Sequence, residues 1–166
     1  MGFRAVVITV SDRGARGERV DGSGPAVEAL LAEKGMEIVG RRIIPDEREV
    51  IRRTLLEWAD GGAADLIVTT GGTGVSPRDV TPDATREVID REIPGMAEEM
   101  RRQSAKVTPR AMISRAMAGI RGRTLIINLP GSPKGAVENL GVLLPALPHA
   151  IEKIKGDESD CASPAC

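Results

Sequence analysis

The chain has 166 residues, enough for one domain with a sizeable core. Its 23 basic and 24 acidic side chains leave a net charge of -1, so it carries no electrostatic footprint for nucleic acid. Aromatic residues are 1 % of the total, Phe3 and Trp58 with no tyrosine, which argues against stacking platforms and leaves aliphatic walls and backbone hydrogen bonds for any bound base.

The first predicted element is a strand, Arg4–Val10 (RAVVITV), a β-branched run that fits a parallel strand buried on both faces. It stops at Ser11-Asp12-Arg13, and a loop rich in glycine and charge leads through Asp21, Gly22, Ser23 and Gly24 to Pro25. Pro25 is read as the opening of a helix, because Val27, Leu30 and Leu31 keep a 3.6-residue period and Gly35 closes it. Residues 36–44 read as a second strand. Pro45-Asp46 then starts a second helix, with Val50, Ile51, Thr54, Leu55 and Trp58 on one face and Gly61-Gly62 at its end. A third strand follows at 65–70.

The third strand runs into the most informative stretch, residues 66–83, LIVTTGGTGVSPRDVTPD. Gly71, Gly72 and Gly74 remove the side chains that would hold a ligand away, and they permit positive φ, so that backbone N–H groups can turn toward an anion. Thr69, Thr70, Thr73 and Ser76 add hydroxyls, and a helix starting at Thr81-Pro82 adds its dipole, which together favour phosphate. A tight turn after a buried strand is the structural alternative for Gly-Gly alone. Beyond it lie a short helix at 82–89, a methionine-bearing helix at 95–105, a helix at 109–117, a strand at 123–129 and a last helical region to 155, kinked or split by Pro145 and Pro148. Thr81 and Thr108 both read as capping hydroxyls before a proline.

Strands alternating with helices through short links predict a single three-layer α/β/α domain, doubly wound around a mostly parallel sheet, over residues 1–155, with a mobile tail at 156–166. Right-handed crossovers bring the C-terminal ends of the strands to one rim, collecting Ser11-Asp12, Pro45-Asp46 and the glycine loop. Asp46, three residues before Glu49, fits a capping box, whereas Asp79 has no capping role if Thr81 caps the next helix. Two carboxylates beside a phosphate loop need a cation between them, and Asp46 with Asp79 would hold Mg²⁺ through oxygen. Asp12 orients its loop or binds ligand, Ser23 and Ser132 fit helix caps, Asp83 favours a helix dipole, and Lys134 at a helix start hints at a nearby anion. Ser114 falls inside a predicted helix, where a solvated or back-bonded hydroxyl is the ordinary expectation.

His149 is the one histidine and reads as a surface or interface residue, so a zinc site or a Ser-His triad lacks its second ligand. Cys161 and Cys166 sit in the tail and cannot staple the fold. No run approaches the roughly 18 apolar residues of a membrane span, and the N-terminal residues lack the pattern of a signal peptide, so a cytoplasmic protein is expected.

TTGGTG followed by PRDVTPDAT, the earlier IIPDE, the SDR and DGSGP segments and the late NLPGSPK closely resemble the molybdenum cofactor biosynthesis proteins of the Mog and MoaB type, over nearly the whole domain. The resemblance implies a homotrimer that binds molybdopterin and, with MgATP, transfers AMP to its terminal phosphate and releases pyrophosphate. It also implies work alongside other proteins of the same biosynthesis. It places the catalytic acids on Asp46 and Asp79, and substrate around Ser11, Asp12, Ser23, Gly24, Thr70, Gly71, Gly72, Thr73, Gly74, Ser76, Pro130, Gly131 and Ser132. PRAMISR matches a family segment that gives Ser114 a substrate-site role. Members that only bind molybdopterin, and related domains that hydrolyse nucleotides to release pyrophosphate, are the alternatives.

Overall fold

The computed structural model describes residues 2–158. Six strands, β1 (Arg4–Val10), β2 (Glu37–Ile44), β3 (Leu66–Thr70), β4 (Arg91–Glu92), β5 (Ala118–Arg121) and β6 (Thr124–Leu129), form one sheet in the order β2-β1-β3-β6-β5-β4. The first four in that order run parallel; at one edge β5 pairs antiparallel with β6, and β4 pairs antiparallel with β5. The helices are α1 (Asp12–Ala15), α2 (Ser23–Glu33), α3 (Arg48–Asp60), α4 (Thr81–Val88), α5 (Pro94–Ala105), α6 (Pro133–Leu143) and α7 (Leu147–Ile154), with a 3-10 turn at Pro109–Ile113.

Strand periodicity of two divides the core. Ala5, Val7, Leu66, Val68, Leu125 and Ile127 pack with α2, α5, α6 and α7 on one face. Val6, Ile8, Ile67 and Ile126 pack with α3 and α4 on the other, so the expected three-layer α/β/α arrangement is present. Each fully buried Ile or Leu contributes about 1.5–3 kcal/mol, which is why continuous apolar runs select central positions. Trp58 of α3 packs against β2 at Gly40. A side chain at Gly40 would come within 2.5 Å of its ring, and the Arg42 guanidinium covers it at 5.4 Å from the ring centroid.

Several boundaries differ from the sequence reading for identifiable reasons. α2 begins at Ser23 rather than Pro25, since the Asp21 carboxylate accepts the Gly24 N–H at 3.0 Å and draws the first turn back. α3 begins at Arg48 with Glu47 as its N-cap residue and no side-chain cap bond, so Asp46 is not the cap. The helix expected at 109–117 is a single 3-10 turn, capped by Thr108 as expected, and the chain then extends into β5. Neither β4 nor β5 was anticipated. The last helical region is split into α6 and α7. Near its end Lys155 reaches the buried Asp65 at 2.9 Å, and Arg4 binds the same carboxylate through its N–H at 2.8 Å. The expected mobile segment with Cys161 and Cys166 lies, from residue 159 on, outside the described residues.

Candidate active site

β1, β2, β3 and β6 end at one rim, leading into Ser11, Asp46, Gly71 and Pro130 respectively. After β1 the chain steps out to β2 and then returns to β3 on the other side, so the switch point that opens a crevice in such sheets lies between β1 and β3. Gly71 turns against that point with φ +95°, where a Cβ would sit 2.3 Å from the Val10 carbonyl, and its N–H donates to Leu129 at 3.0 Å. Only glycine allows the chain to pass so close.

Asp12 and Asp46 are reciprocally bound: the Asp12 N–H donates to Asp46 Oδ2 at 2.8 Å, and the Asp46 N–H donates to Asp12 Oδ1 at 3.0 Å. The Arg78 guanidinium forks onto Asp12 at 2.8 and 3.0 Å and holds its carboxyl below the usual range. Burial pushes the Asp46 carboxyl up, and the negative charges of Asp12 and Asp79 push the same way against the Asp12 N–H. A Cβ at Gly72 would come within 3.1 Å of Asp46 Oδ1 and one at Gly74 within 2.8 Å of Asp79 Oδ2, so both carboxylates rest on bare positions of the same loop. Asp79 Oδ2 accepts the Ser76 N–H at 2.9 Å, and its own N–H donates to the Ser76 carbonyl at 2.9 Å.

Asp79 therefore has a structural task that its sequence position did not reveal. Thr81 does not cap α4; its hydroxyl donates to the Gly71 carbonyl at 2.9 Å and ties the helix start to the loop. Ser23 does not cap α2 either, and its buried hydroxyl pairs with Thr70 Oγ1 at 2.8 Å. Ser132 does cap α6, accepting from Gly135 N–H at 3.1 Å, and Ser11 caps α1 by accepting from Gly14 N–H at 3.0 Å. Ser76 Oγ faces the Arg78 N–H at 3.4 Å, and Lys134 lies 3.8 Å from Glu138. Asp83 is bound by Arg115.

Two clefts flank the glycine loop. One, of about 480 Å³, is lined by Ser11, Ser23, Asp46, Thr70 and Gly71-Gly72, with Gly131 as a facing wall. The other, of about 300 Å³, is more apolar and is lined by Thr73, Gly74, Ser114 and Pro130, with Arg101 and Arg110 at its margin. Ser132 lines both. Of the predicted residues Asp12, Gly24, Ser76 and Asp79 line neither cleft. Gly24 lies against Asp21, where a Cβ would meet Asp21 Oδ2 at 2.3 Å, while Asp12 and Asp79 position the rim as described.

Two residues escaped the sequence reading. Asp21 joins β1 to α2 by accepting the Thr9 hydroxyl at 2.7 Å as well as the Gly24 N–H, and its place before Gly-Ser-Gly was a usable Asx-turn signal. Arg115 donates from Nε to the Gly74 carbonyl at 2.9 Å, from Nη2 to the Asp79 carbonyl, and from both Nη atoms to Asp83. Its one mark in the sequence was its place at the end of PRAMISR, where the family match pointed to Ser114 and not to it.

Compared with known proteins, the chain matches over residues 6–149 a family model described as "Probable molybdopterin binding domain". A molybdopterin adenylyltransferase of Helicobacter pylori is 42 % identical over 153 residues, covering 91 % of this chain and 87 % of the relative. Gephyrin of Dictyostelium discoideum is 44 % identical over 155 residues, covering 87 % of this chain, which spans 21 % of gephyrin's own length. The crystal structure of the molybdopterin biosynthesis enzyme MoaB of Thermus thermophilus superposes with a TM-score of 0.88 at 52 % identity, covering 93 % of this chain and 98 % of that one.

Proposed function

The chain belongs to the Mog/MoaB family of molybdopterin-binding proteins, and from that premise we propose that it is a molybdopterin adenylyltransferase of molybdenum cofactor biosynthesis. In the proposed reaction an oxygen of the molybdopterin terminal phosphate forms a bond to the α-phosphorus of ATP. The bond from that phosphorus to the α,β-bridging oxygen breaks, and pyrophosphate leaves.

One observation supports this reading most: the loop from Gly71 to Gly74 is the common wall of two clefts, with Gly71-Gly72 on one side and Thr73-Gly74 on the other. Two substrates that exchange a group need adjoining seats and a shared phosphate-holding wall, which replaces a bimolecular encounter by fixed alignment. ATP is assigned to the larger cleft beside Asp46, and the pterin to the cleft carrying Ser114. Backbone N–H groups of the loop, with Ser132 at the start of α6, would hold the phosphates in line. A phosphate nucleophile is already ionised at neutral pH, so the reaction requires no general base.

The carboxylates also suit a magnesium ion. Asp46 uses Oδ2 for the Asp12 N–H and Asp79 uses Oδ2 for the Ser76 N–H, which leaves Oδ1 of each without a protein hydrogen-bond partner among the described residues. Among the described residues no group of three or more His, Cys, Asp or Glu could hold a metal ion by itself, so the remaining ligands would be phosphate and water oxygens, as is usual for this ion. Magnesium bound there would neutralise charge on the phosphates. The reading extends to a homotrimer acting in the cytoplasm with other proteins of the same biosynthesis; among the described residues no helix is long and apolar enough to cross a membrane.

The test is ATP consumption in Mg²⁺ with and without molybdopterin, scoring adenylylated molybdopterin and pyrophosphate. Product that requires the pterin is the expected result. Pterin binding with no product would make the chain a carrier, and turnover without pterin would make it a nucleotide pyrophosphatase.

A further inference from the structure

We propose that Arg115 is a positioning residue for the Asp79 loop, holding it in the geometry that adenylyl transfer requires. Its side chain is 40 % exposed, a setting in which an arginine ordinarily contributes little. Here, however, the guanidinium is used in three directions at once. Nε donates to the Gly74 carbonyl at 2.9 Å, Nη2 to the Asp79 carbonyl, and Nη1 and Nη2 fork onto Asp83 at 3.1 and 2.9 Å. The Arg115 N–H adds a bond to the Thr73 carbonyl at 2.7 Å.

These acceptors bracket the Asp79 carboxylate. Gly74 is the bare position against which that carboxylate rests, the Asp79 carbonyl belongs to the same residue, and Asp83 anchors the fork in the first turn of α4. The Arg115 side chain is charged and lies at the surface, so removing it would free the loop without opening packed apolar surface. Lysine keeps the charge but presents one ammonium, which cannot satisfy two carbonyls and a carboxylate in one plane. Arg115 also directly follows Ser114, which lines the smaller cleft, so the segment carrying it connects that cleft to the Asp79 loop.

The inference rests on the adenylyltransferase reading, and the experiment separates the two. Arg115→Lys, Arg115→Ala and Asp83→Asn are compared with the wild type for kcat and KM in adenylylated molybdopterin formation, for urea midpoint, and for amide hydrogen exchange across residues 73–79. The expected result is a kcat lower by about 10- to 100-fold with KM for the pterin nearly unchanged. Exchange at the Ser76 and Asp79 amides rises while β1 and β6 keep their protection. Guanidinium ion, well below denaturing concentration, restores part of the turnover of Arg115→Ala, and ethylammonium does not. Wild-type kcat in Arg115→Lys, or unchanged exchange over 73–79 in Arg115→Ala, overturns the proposal. If the wild type itself forms no product, the adenylyltransferase reading fails on its own, and the exchange data alone decide whether Arg115 positions the loop.

Discussion

Gly72→Ala puts one methyl group where the loop, α4 and Asp46 meet. Gly72 has φ +66°, and a Cβ there would lie 2.3 Å from Thr81 Oγ1 and 3.1 Å from Asp46 Oδ1. A non-glycine residue in the left-handed region costs about 1 kcal/mol. Thr81 is wholly buried and must turn away, losing its bond to the Gly71 carbonyl, which removes about 1 kcal/mol more. Residual crowding in a packed region adds about 1 kcal/mol. The sum, about 3 kcal/mol, corresponds to a fall of about 6–12 °C in Tm for a domain of this size. Urea denaturation with an unchanged m-value measures it, and an assay of adenylylated molybdopterin formation from MgATP should show activity reduced further than the folded fraction explains, because Asp46 is displaced too. A midpoint within about 0.5 kcal/mol of wild type, with turnover intact, would refute the idea that this glycine is required by close approach.

Asp79→Asn should lower adenylyl transfer by more than about 100-fold while molybdopterin affinity, read by titration, stays near wild type. Asp46→Asn should abolish turnover yet be at least as stable as wild type at neutral pH. The folded-state carboxyl is raised by burial and by its acidic neighbours, so its favourable contribution is present below the unfolded pKa and lost as pH rises through the folded one. Urea midpoints at a series of pH values should therefore converge toward acid. Asp65→Asn should cost about 2 kcal/mol at neutral pH. Burial alone would raise the Asp65 carboxyl, but bonds from the Arg4 N–H, Lys155 and the Arg4 guanidinium outweigh it and hold the group low. Its contribution is present above the unfolded pKa and disappears as pH falls through the folded one, so the difference between Asp65→Asn and wild type should vanish in acid. Gly141→Ala, in α6 with open space at the Cβ position, should raise the thermal midpoint by the equivalent of about 0.5–1 kcal/mol.

What was legible in the sequence was whatever local chemistry decides. RAVVITV reads as a central strand because both of its alternating faces are apolar, and the bounds Arg4–Val10 follow from that alone. The glycine loop from Thr70 to Gly74 was readable from its bare, hydroxyl-rich turn after a buried strand, whereas Pro130 to Ser132 was pointed to only by the family resemblance of NLPGSPK; both segments line the clefts. What was not legible depended on a partner brought from far along the chain. Thr81 before Pro82 has every local reason to cap a helix, yet its hydroxyl is taken by a carbonyl ten residues back. Asp46 has a capping-box spacing to Glu49, but its carboxylate is occupied by the N–H of Asp12, thirty-four residues away in sequence. β4 is two residues long, and β5, AGIR, has too little alternation to stand out from the preceding PRAMISR, whose proline favoured a helix. Arg115 was invisible for the same reason: two of its acceptors are backbone carbonyls, which no side-chain pattern records, and the third, the Asp83 carboxylate, lies far back along the chain.

Trp58 packed on Gly40 has a practical meaning for spectroscopy. With no tyrosine in the chain, near-ultraviolet emission comes from this single indole, which sits against β2 beneath Arg42 rather than in either cleft. Its Nε1 is buried with no hydrogen-bond partner among the described residues and the ring is partly buried, so unfolding should shift its emission to longer wavelength as more water reaches it. The same placement makes the signal indifferent to a ligand that only fills the clefts. A change in emission on adding ATP or pterin would therefore be a message from α3, carried from the rim through the helix that begins just after Asp46.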